Sequence, residues 1–155
     1  MHIGDLLIGD AILMRQGASS KRQALHIVAE AASELFGLSE TTIFDALLER
    51  EALGSTGLGS GVAVPHARLA GLDRVKAVFV KLESPVPYDA VDDRPVDLMF
   101  GLFAPPTDGA EHLRALAAVS RTMRSPDFRQ RLRQANTIDA ISALFVQQSP
   151  AATAA

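Results

Sequence analysis

Gly54-Ser-Thr-Gly-Leu-Gly-Ser-Gly-Val-Ala-Val-Pro-His-Ala-Arg68 is the stretch that divides this chain. Its four glycines, Gly54, Gly57, Gly59 and Gly61, rule out a helix and bend the backbone. Val62, Ala63 and Val64 follow as an apolar run that predicts a short buried strand. Pro65 has a fixed φ and no backbone donor, so strand pairing is expected to stop there and to leave His66 presented at a strand end. Two phosphate-loop readings fail. A P-loop needs Lys and then Ser or Thr after its second glycine, whereas Ser60-Gly61 follow Gly59. A dinucleotide loop follows a strand and opens a helix, whereas this segment follows a helix and opens a strand. The glycines therefore shape a site around His66.

On the N-terminal side, residues 1–9 show little pattern beyond Leu6 and Leu7, which share one helical turn. Residues 11–14 predict a strand. Ser20 is an N-cap for a helix ended by Gly37, with Ala24, Leu25, Val28, Ala31, Ala32 and Leu35 on its apolar face. Ser39 caps a second helix running to about Leu53, with Ile43, Phe44, Leu47 and Leu48 inward. On the C-terminal side, residues 75–82 and 96–104 are the strongest strands, the second apolar enough to be covered on both faces. Ser84-Pro85-Val86-Pro87 and Asp92-Asp93-Arg94-Pro95 read as turns, and Pro105-Pro106 stop the second strand. Residues 110–123 predict a helix with Leu113, Leu116, Ala117 and Met123 inward. A short helix from Pro126 (Phe128, Leu132 inward) and one capped by Thr137 (Ile138, Ile141, Leu144, Phe145) complete the fold. Strands and helices interleave, which defines an α/β single domain with helices on both faces of the sheet. The domain is expected over 1–148, with a flexible tail over 149–155.

Composition narrows the function. The chain has 155 residues, 48% hydrophobic and 21% charged, with formal net charge −3. That suits one soluble domain with no strong pull toward nucleic acid. The absence of cysteine excludes disulfides and thiolate chemistry. No apolar run reaches the ~20 residues of a membrane span, and no signal peptide is expected, so the expectation is a cytoplasmic protein without stable membrane insertion. Arg121, Arg124, Arg129, Arg131 and Arg133 read as a solvated helical face rather than a nucleic-acid patch.

Four kinds of residue carry candidate chemistry. His66 is either a surface histidine or a nucleophile, since an imidazole of pKa ~6.5 keeps a free lone pair near neutrality. Arg50 lies toward the apolar face of its helix. Either its stem covers apolar surface, or its planar fork is aimed at a phosphate. His112, in the first turn of its helix, is either solvated or beside an anion favoured by the helix N-terminus. Ser55 and Thr56 are turn residues or hydroxyl donors. His26 reads as solvated and His2 as terminal.

Arg50-Glu51, Gly54-Ser55-Thr56-Gly57 and Gly61-Val62-Ala63-Val64-Pro65-His66 resemble the enzyme IIA domains of the phosphoenolpyruvate-dependent phosphotransferase system, in the fructose/mannitol/nitrogen-regulatory class. His112-Leu113 matches a His-Leu pair of that family. The resemblance spans roughly residues 3–147 and implies a mixed sheet of about five strands. It implies His66 as the phosphoryl acceptor through Nε2, with His112 and Arg50 as donors to the phosphoryl oxygens; Nδ1 must then carry the proton and needs an acceptor, most simply a backbone carbonyl in the glycine-rich turn. Of the two hydroxyls at such a site, Thr56 is the better candidate for a further donor, with Ser55 in support. The resemblance implies no cofactor or metal, and an HPr-like phosphocarrier as donor. The expected absence of attached IIB or IIC parts favours the nitrogen-regulatory branch, with unidentified regulatory protein targets. A sugar-specific IIA passing phosphate to a IIB component is the alternative. The docking face is expected to be apolar, with Leu58 and Val64. Two other classes remain: a metal site using His66, His112, Asp108 and Glu111, which lacks ligand spacing such as H-x-x-x-H, and a ligand-sensing domain without covalent chemistry.

Overall fold

The computed structural model describes residues 2–107 and 109–148. After a 3-10 turn (Ile3–Leu6), the elements in order are β1 (Ile12–Gln16), α1 (Lys21–Phe36), α2 (Glu40–Ala52), β2 (Gly57–Gly59), β3 (Val62–Ala63) and β4 (His66–Arg68). They continue with β5 (Lys76–Val86), β6 (Val96–Ala104), α3 (Gly109–Met123), α4 (Pro126–Gln134) and α5 (Ile138–Val146). The sheet has six strands in the order β1-β5-β6-β3-β2, with β4 also on β6. Pairing is mixed: β1–β5, β3–β6 and β4–β6 are parallel, β5–β6 and β2–β3 antiparallel. The two strands beyond the expected middle of the sheet, β2 and β4, are each only three residues long, too short to leave a periodic signal.

The helix starts follow the capping residues. Ser20, Ser39, Ser125 and Thr137 each accept a hydrogen bond from the backbone N–H three residues on, filling an orphan donor of the first turn. Gly37 closes α1 in the left-handed conformation at φ 68°. The core divides across β6. Leu98, Phe100, Leu102 and Ala104 face α3, α4 and α5, whereas Met99 and Phe103 face α1 and α2. Burying each such large side chain contributes about 1.5–3 kcal/mol. Gly101 lets α1 approach: a Cβ there would lie 2.7 Å from Val28 Cγ1.

Three expectations need correcting. Pro65 does not end the pairing. β3 and β4 sit on β6 in one continuous register, Ala63 opposite Met99 and His66 opposite Leu102, and the Pro65 carbonyl accepts from Leu102 N–H at 2.9 Å. Pro65 costs the ladder one donor, and the chain re-enters the sheet at His66. Secondly, Ser84-Pro85-Val86 is no turn. β5 runs through to Val86, with a register shift between Lys81 and Val86 that absorbs the proline as a bulge. Thirdly, Leu113 is 67% exposed and Ala117 exposed, while His112, Ala115, Val119 and Met123 form the buried stripe of α3. The helix is rotated by one residue from its apolar reading. The proposed 149–155 tail lies outside the described residues.

Candidate phosphotransfer site

Three elements converge on His66. α2 ends at Ala52 and brings Arg50 in its last turn, β4 begins with His66, and α3 supplies His112 from its first turn. Arg50 Nε donates to His66 Nε2 at 3.1 Å, and its Nη1 donates to the Gly54 carbonyl at 2.8 Å. On the other side of the ring, His66 Nδ1 lies 2.9 Å from the Val64 carbonyl. A guanidinium N–H can only donate and a carbonyl can only accept. His66 is therefore neutral, with its proton on Nδ1 and its lone pair on Nε2. Burial lowers its pKa below the ordinary 6.5, the Val64 carbonyl works against that shift, and the Arg50 charge adds to it.

His112 is 5% exposed, and its ring centroid lies 5.5 Å from that of His66 with the planes inclined by 56°. Its burial removes the solvated reading. The first turn of α3 faces His66 with a helix N-terminus, where the dipole favours an anion. Arg50, His66 and His112 are thus one constellation, although 16 residues separate the first two.

Ser55 and Thr56 are placed differently from their proposed part as donors. Ser55 Oγ donates to the Tyr88 carbonyl at 3.2 Å and accepts from Gly57 N–H. Thr56 is 5% exposed; its hydroxyl donates to Glu51 Oε1 and lies 3.0 Å from Tyr88 Oη. These hydroxyls hold the glycine segment to its neighbours. Val64, expected on a docking face, is 2% exposed and packs inward, whereas Leu58 is 42% exposed as expected. His26 is exposed and pairs with Glu40 at 2.7 Å. Arg133 departs from the solvated face: its fork grips Asp97 and its Nη2 donates to the Ser60 carbonyl at 2.7 Å.

Of the alternative metal set, Asp108 lies outside the described residues, and Glu111 pairs with Arg114 at 3.3 Å. Among the described residues, the ligand-type side chains that converge are instead His26, Glu30 and Glu40, on the α1–α2 surface. No helix of the described residues is long and apolar enough to cross a membrane.

Two residues with no role in the sequence reading stand in the same region. Glu51 lies at a helix C-terminus, where the dipole disfavours a carboxylate, and that misfit is the signal it carried. Tyr88 is the single tyrosine of the chain and is 1% exposed, its phenol pushed up by burial and by the Glu51 charge.

Comparison with known proteins gives the chain its relatives. The chain is 42% identical over 155 residues to a nitrogen regulatory protein of Bradyrhizobium diazoefficiens, covering all of both chains. It is 39% identical over 139 residues to that of Klebsiella oxytoca, covering 88% of this chain and 85% of the relative. The crystal structure of the nitrogen regulatory protein IIA-Ntr from Neisseria meningitidis superposes with a TM-score of 0.86 at 32% identity, covering 92% of this chain and 98% of that one. Residues 5–148 match the family described as "Phosphoenolpyruvate-dependent sugar phosphotransferase system, EIIA 2". With nearly its whole length matched, the chain belongs to the EIIA type-2 family of the phosphotransferase system.

Proposed function

We propose that this chain is a phosphocarrier of the nitrogen-related phosphotransferase system. It accepts a phosphoryl group on His66 from an HPr-like carrier and regulates protein targets in the cytoplasm according to its phosphorylation state. The observation that carries this reading is the fixed His66 tautomer: Nδ1–H bonded to the Val64 carbonyl, and the Nε2 lone pair facing Arg50. A neutral imidazole with a lowered pKa stays nucleophilic below neutral pH. In the transfer, Nε2 forms a bond to phosphorus as the bond from phosphorus to the carrier's nitrogen breaks. No proton has to leave the Nδ1 side. Arg50 Nε–H occupies the Nε2 lone pair at rest, so it must release the ring as the phosphoryl group arrives and donate to an oxygen instead. Charge-assisted donors of this kind offset the negative charge on the transferring group. His112 supplies a second donor beside the α3 N-terminus, while Thr56 and Ser55 contribute through the loop they hold.

The regulatory branch rests on the similarity to nitrogen regulatory proteins across the full chain. The sugar-specific alternative makes one distinguishing demand: rapid passage of phosphate to a purified IIB component. Target selection follows from charge. Leu53, Leu58 and Leu113 expose apolar surface on or beside the elements that carry Arg50, Thr56 and His112. Phosphorylation adds about −1.5 to −2 charges there, and a partner that buries His66 must then desolvate them. Targets docking on this face therefore prefer the unphosphorylated protein.

Mass spectrometry at neutral or basic pH, after incubation with phosphoenolpyruvate, enzyme I and carrier, tests the assignment. One phosphoryl group is expected on His66, none on His66→Ala, and slower labelling of His66 in His112→Ala. Label on His112 in the wild type, or full labelling of His66→Ala, overturns it.

A further inference from the structure

Glu51 carries a buried charge that phosphoryl transfer as described does not use. Its side chain is 5% exposed, yet four donors from three other segments converge on it. Thr56 N–H donates to both carboxylate oxygens at 3.2 Å, the Thr56 hydroxyl donates to Oε1, Tyr88 Oη donates to Oε1 at 3.1 Å, and Lys21 Nζ lies 2.7 Å from Oε2. Lys21 also caps the Tyr88 ring, 4.6 Å from its centroid. A buried carboxylate requires such partners to offset its desolvation. The same partners lock Thr56 by its backbone and its side chain together.

What Thr56 then holds is the inner end of the β2–β3 hairpin. Its carbonyl accepts from Val64 N–H at 2.9 Å. The carbonyl of that same Val64 is the acceptor for His66 Nδ1–H. Which ring nitrogen of a histidine carries the proton is set by the bond its other nitrogen makes. We propose that Glu51 is a positioning residue for phosphoryl transfer, fixing through Thr56 and Val64 the carbonyl that keeps the His66 proton on Nδ1. Arg50 and Glu51, adjacent in the last turn of α2, thus address both nitrogens of one ring: Arg50 touches Nε2 directly, and Glu51 acts on Nδ1 through the hairpin. Tyr88 and Lys21 belong to the device because they neutralise and orient the carboxylate.

The transfer part of this inference rests on the phosphocarrier reading, but its main readout does not. Long-range ¹H–¹⁵N NMR of the His66 ring reports the tautomer without any phosphoryl transfer. In the full-length wild-type protein the ring is expected wholly in the Nδ1–H form. Glu51→Gln, isosteric but uncharged, turns an amide NH₂ toward either Thr56 N–H or Lys21. It is expected to give a mixture of tautomers and to lower kcat for transfer from the phosphorylated carrier by about tenfold, with KM for the carrier within about twofold. Glu51→Asp, which keeps the charge one methylene short, is expected between the two. Lys21→Met, which removes the outer partner, is expected to shift the tautomer ratio the same way by less. A folded Glu51→Gln protein with a pure Nδ1–H ring overturns the proposal, whatever its transfer rate. If Glu51→Gln does not fold, a pure Nδ1–H ring in both Glu51→Asp and Lys21→Met overturns it equally. Wild-type protein that takes no label refutes the phosphocarrier reading instead, and leaves the tautomer result standing on its own.

Discussion

The β2–β3 hairpin is held by charged side chains at both ends, and the two ends are built differently. At the inner end, Glu51 is nearly sealed from water, surrounded by donors, and one hydrogen-bonded link from Val64 and His66. At the tip, Asp92 accepts from Ser60 N–H at 2.8 Å from an exposed position, and the Arg133–Asp97 pair, with side chains 35% and 19% exposed, holds the Ser60 carbonyl. Lys81 completes the tip by donating to the Arg133 and Ala135 carbonyls at the end of α4. The inner end spends a costly buried charge to fix one carbonyl next to the His66 ring. The tip uses half-solvated charges to tie the hairpin to β6 and α4. On this difference, damage to the inner end appears in the chemistry, and damage to the tip appears in stability.

The largest effect that sharpens the contrast is expected from Arg50→Ala, on the His66 side. Losing a charge-assisted hydrogen bond costs about 1.5–3 kcal/mol, which corresponds to roughly a 10- to 150-fold slower phosphoryl transfer. Thermal stability should change little, and Arg50→Lys should recover only part of the rate, because an ammonium lacks the fork. Stopped-flow or quench measurement of transfer, set beside a melting curve, checks both halves. Unchanged rates in both variants would remove Arg50 from the site.

Arg133→Met at the tip is the mirror experiment. It leaves Asp97 without its fork and the Ser60 carbonyl without its donor, for a stability loss of about 2 kcal/mol by denaturant titration. Transfer per folded molecule is expected to stay within about twofold of wild type. A tip variant that keeps its stability but loses transfer would break the comparison.

Gly57→Ala probes the inner end without touching a charge. A Cβ at that position would lie 2.7 Å from Ala90 Cβ and 3.0 Å from its Cα, so the strand must shift. Overpacking of this kind costs about 1–3 kcal/mol. Unlike Arg133→Met, it should lower transfer as well, because the displaced segment includes Thr56. Equal transfer by Gly57→Ala and wild type would show that the inner end tolerates movement.

The smallest effect is in pH. The folded state lowers the His66 pKa, chiefly through burial, so below the ordinary value near 6.5 the unfolded chain takes up a proton that the folded one does not. Stability is then complete above about 6.5 and declines as pH falls toward the folded value. The tip group behaves as a depressed carboxylate: Asp92, held by the Ser60 and Arg94 amides, contributes above its ordinary value of 3.8 and loses that contribution only at lower pH. In His66→Gln the decline below 6.5 should vanish, whereas Asp92→Asn should alter only the acid limb. A decline that persists in His66→Gln would assign it to another group.

The residues that matter most were legible because their chemistry is local. Pro65-His66 after a glycine-rich bend, an arginine on an apolar helix face, capping serines and an apolar run such as β6 all announce themselves within a few positions of sequence. Glu51 and Tyr88 were not legible as a pair. They are 37 residues apart, and neither the misfit of a glutamate at a helix C-terminus nor a lone loop tyrosine points to the other. The α3 face was misread for a related reason: Leu113 is apolar and His112 polar, so periodicity turned the leucine inward. The structure buries the histidine and exposes the leucine, because that turn is occupied with a site rather than a core.

By itself the sequence determined the α/β class, the helix limits, the central strand and the presentation of His66 after a glycine-rich bend, since caps, glycines, proline and hydrophobic runs act within a turn or two of the chain; that Arg50 and His112 join His66 came only as what the family resemblance implied. Only the tertiary structure decided that the sheet re-forms after Pro65, that Thr56 and Ser55 bond Glu51 and Tyr88, and that the carbonyl facing His66 Nδ1 is that of Val64. Those outcomes depend on which carbonyl or carboxylate lies within 3 Å or so of a given donor, and that is set by the packing of α2, the hairpin and the Tyr88 loop against one another, not by any one of them alone.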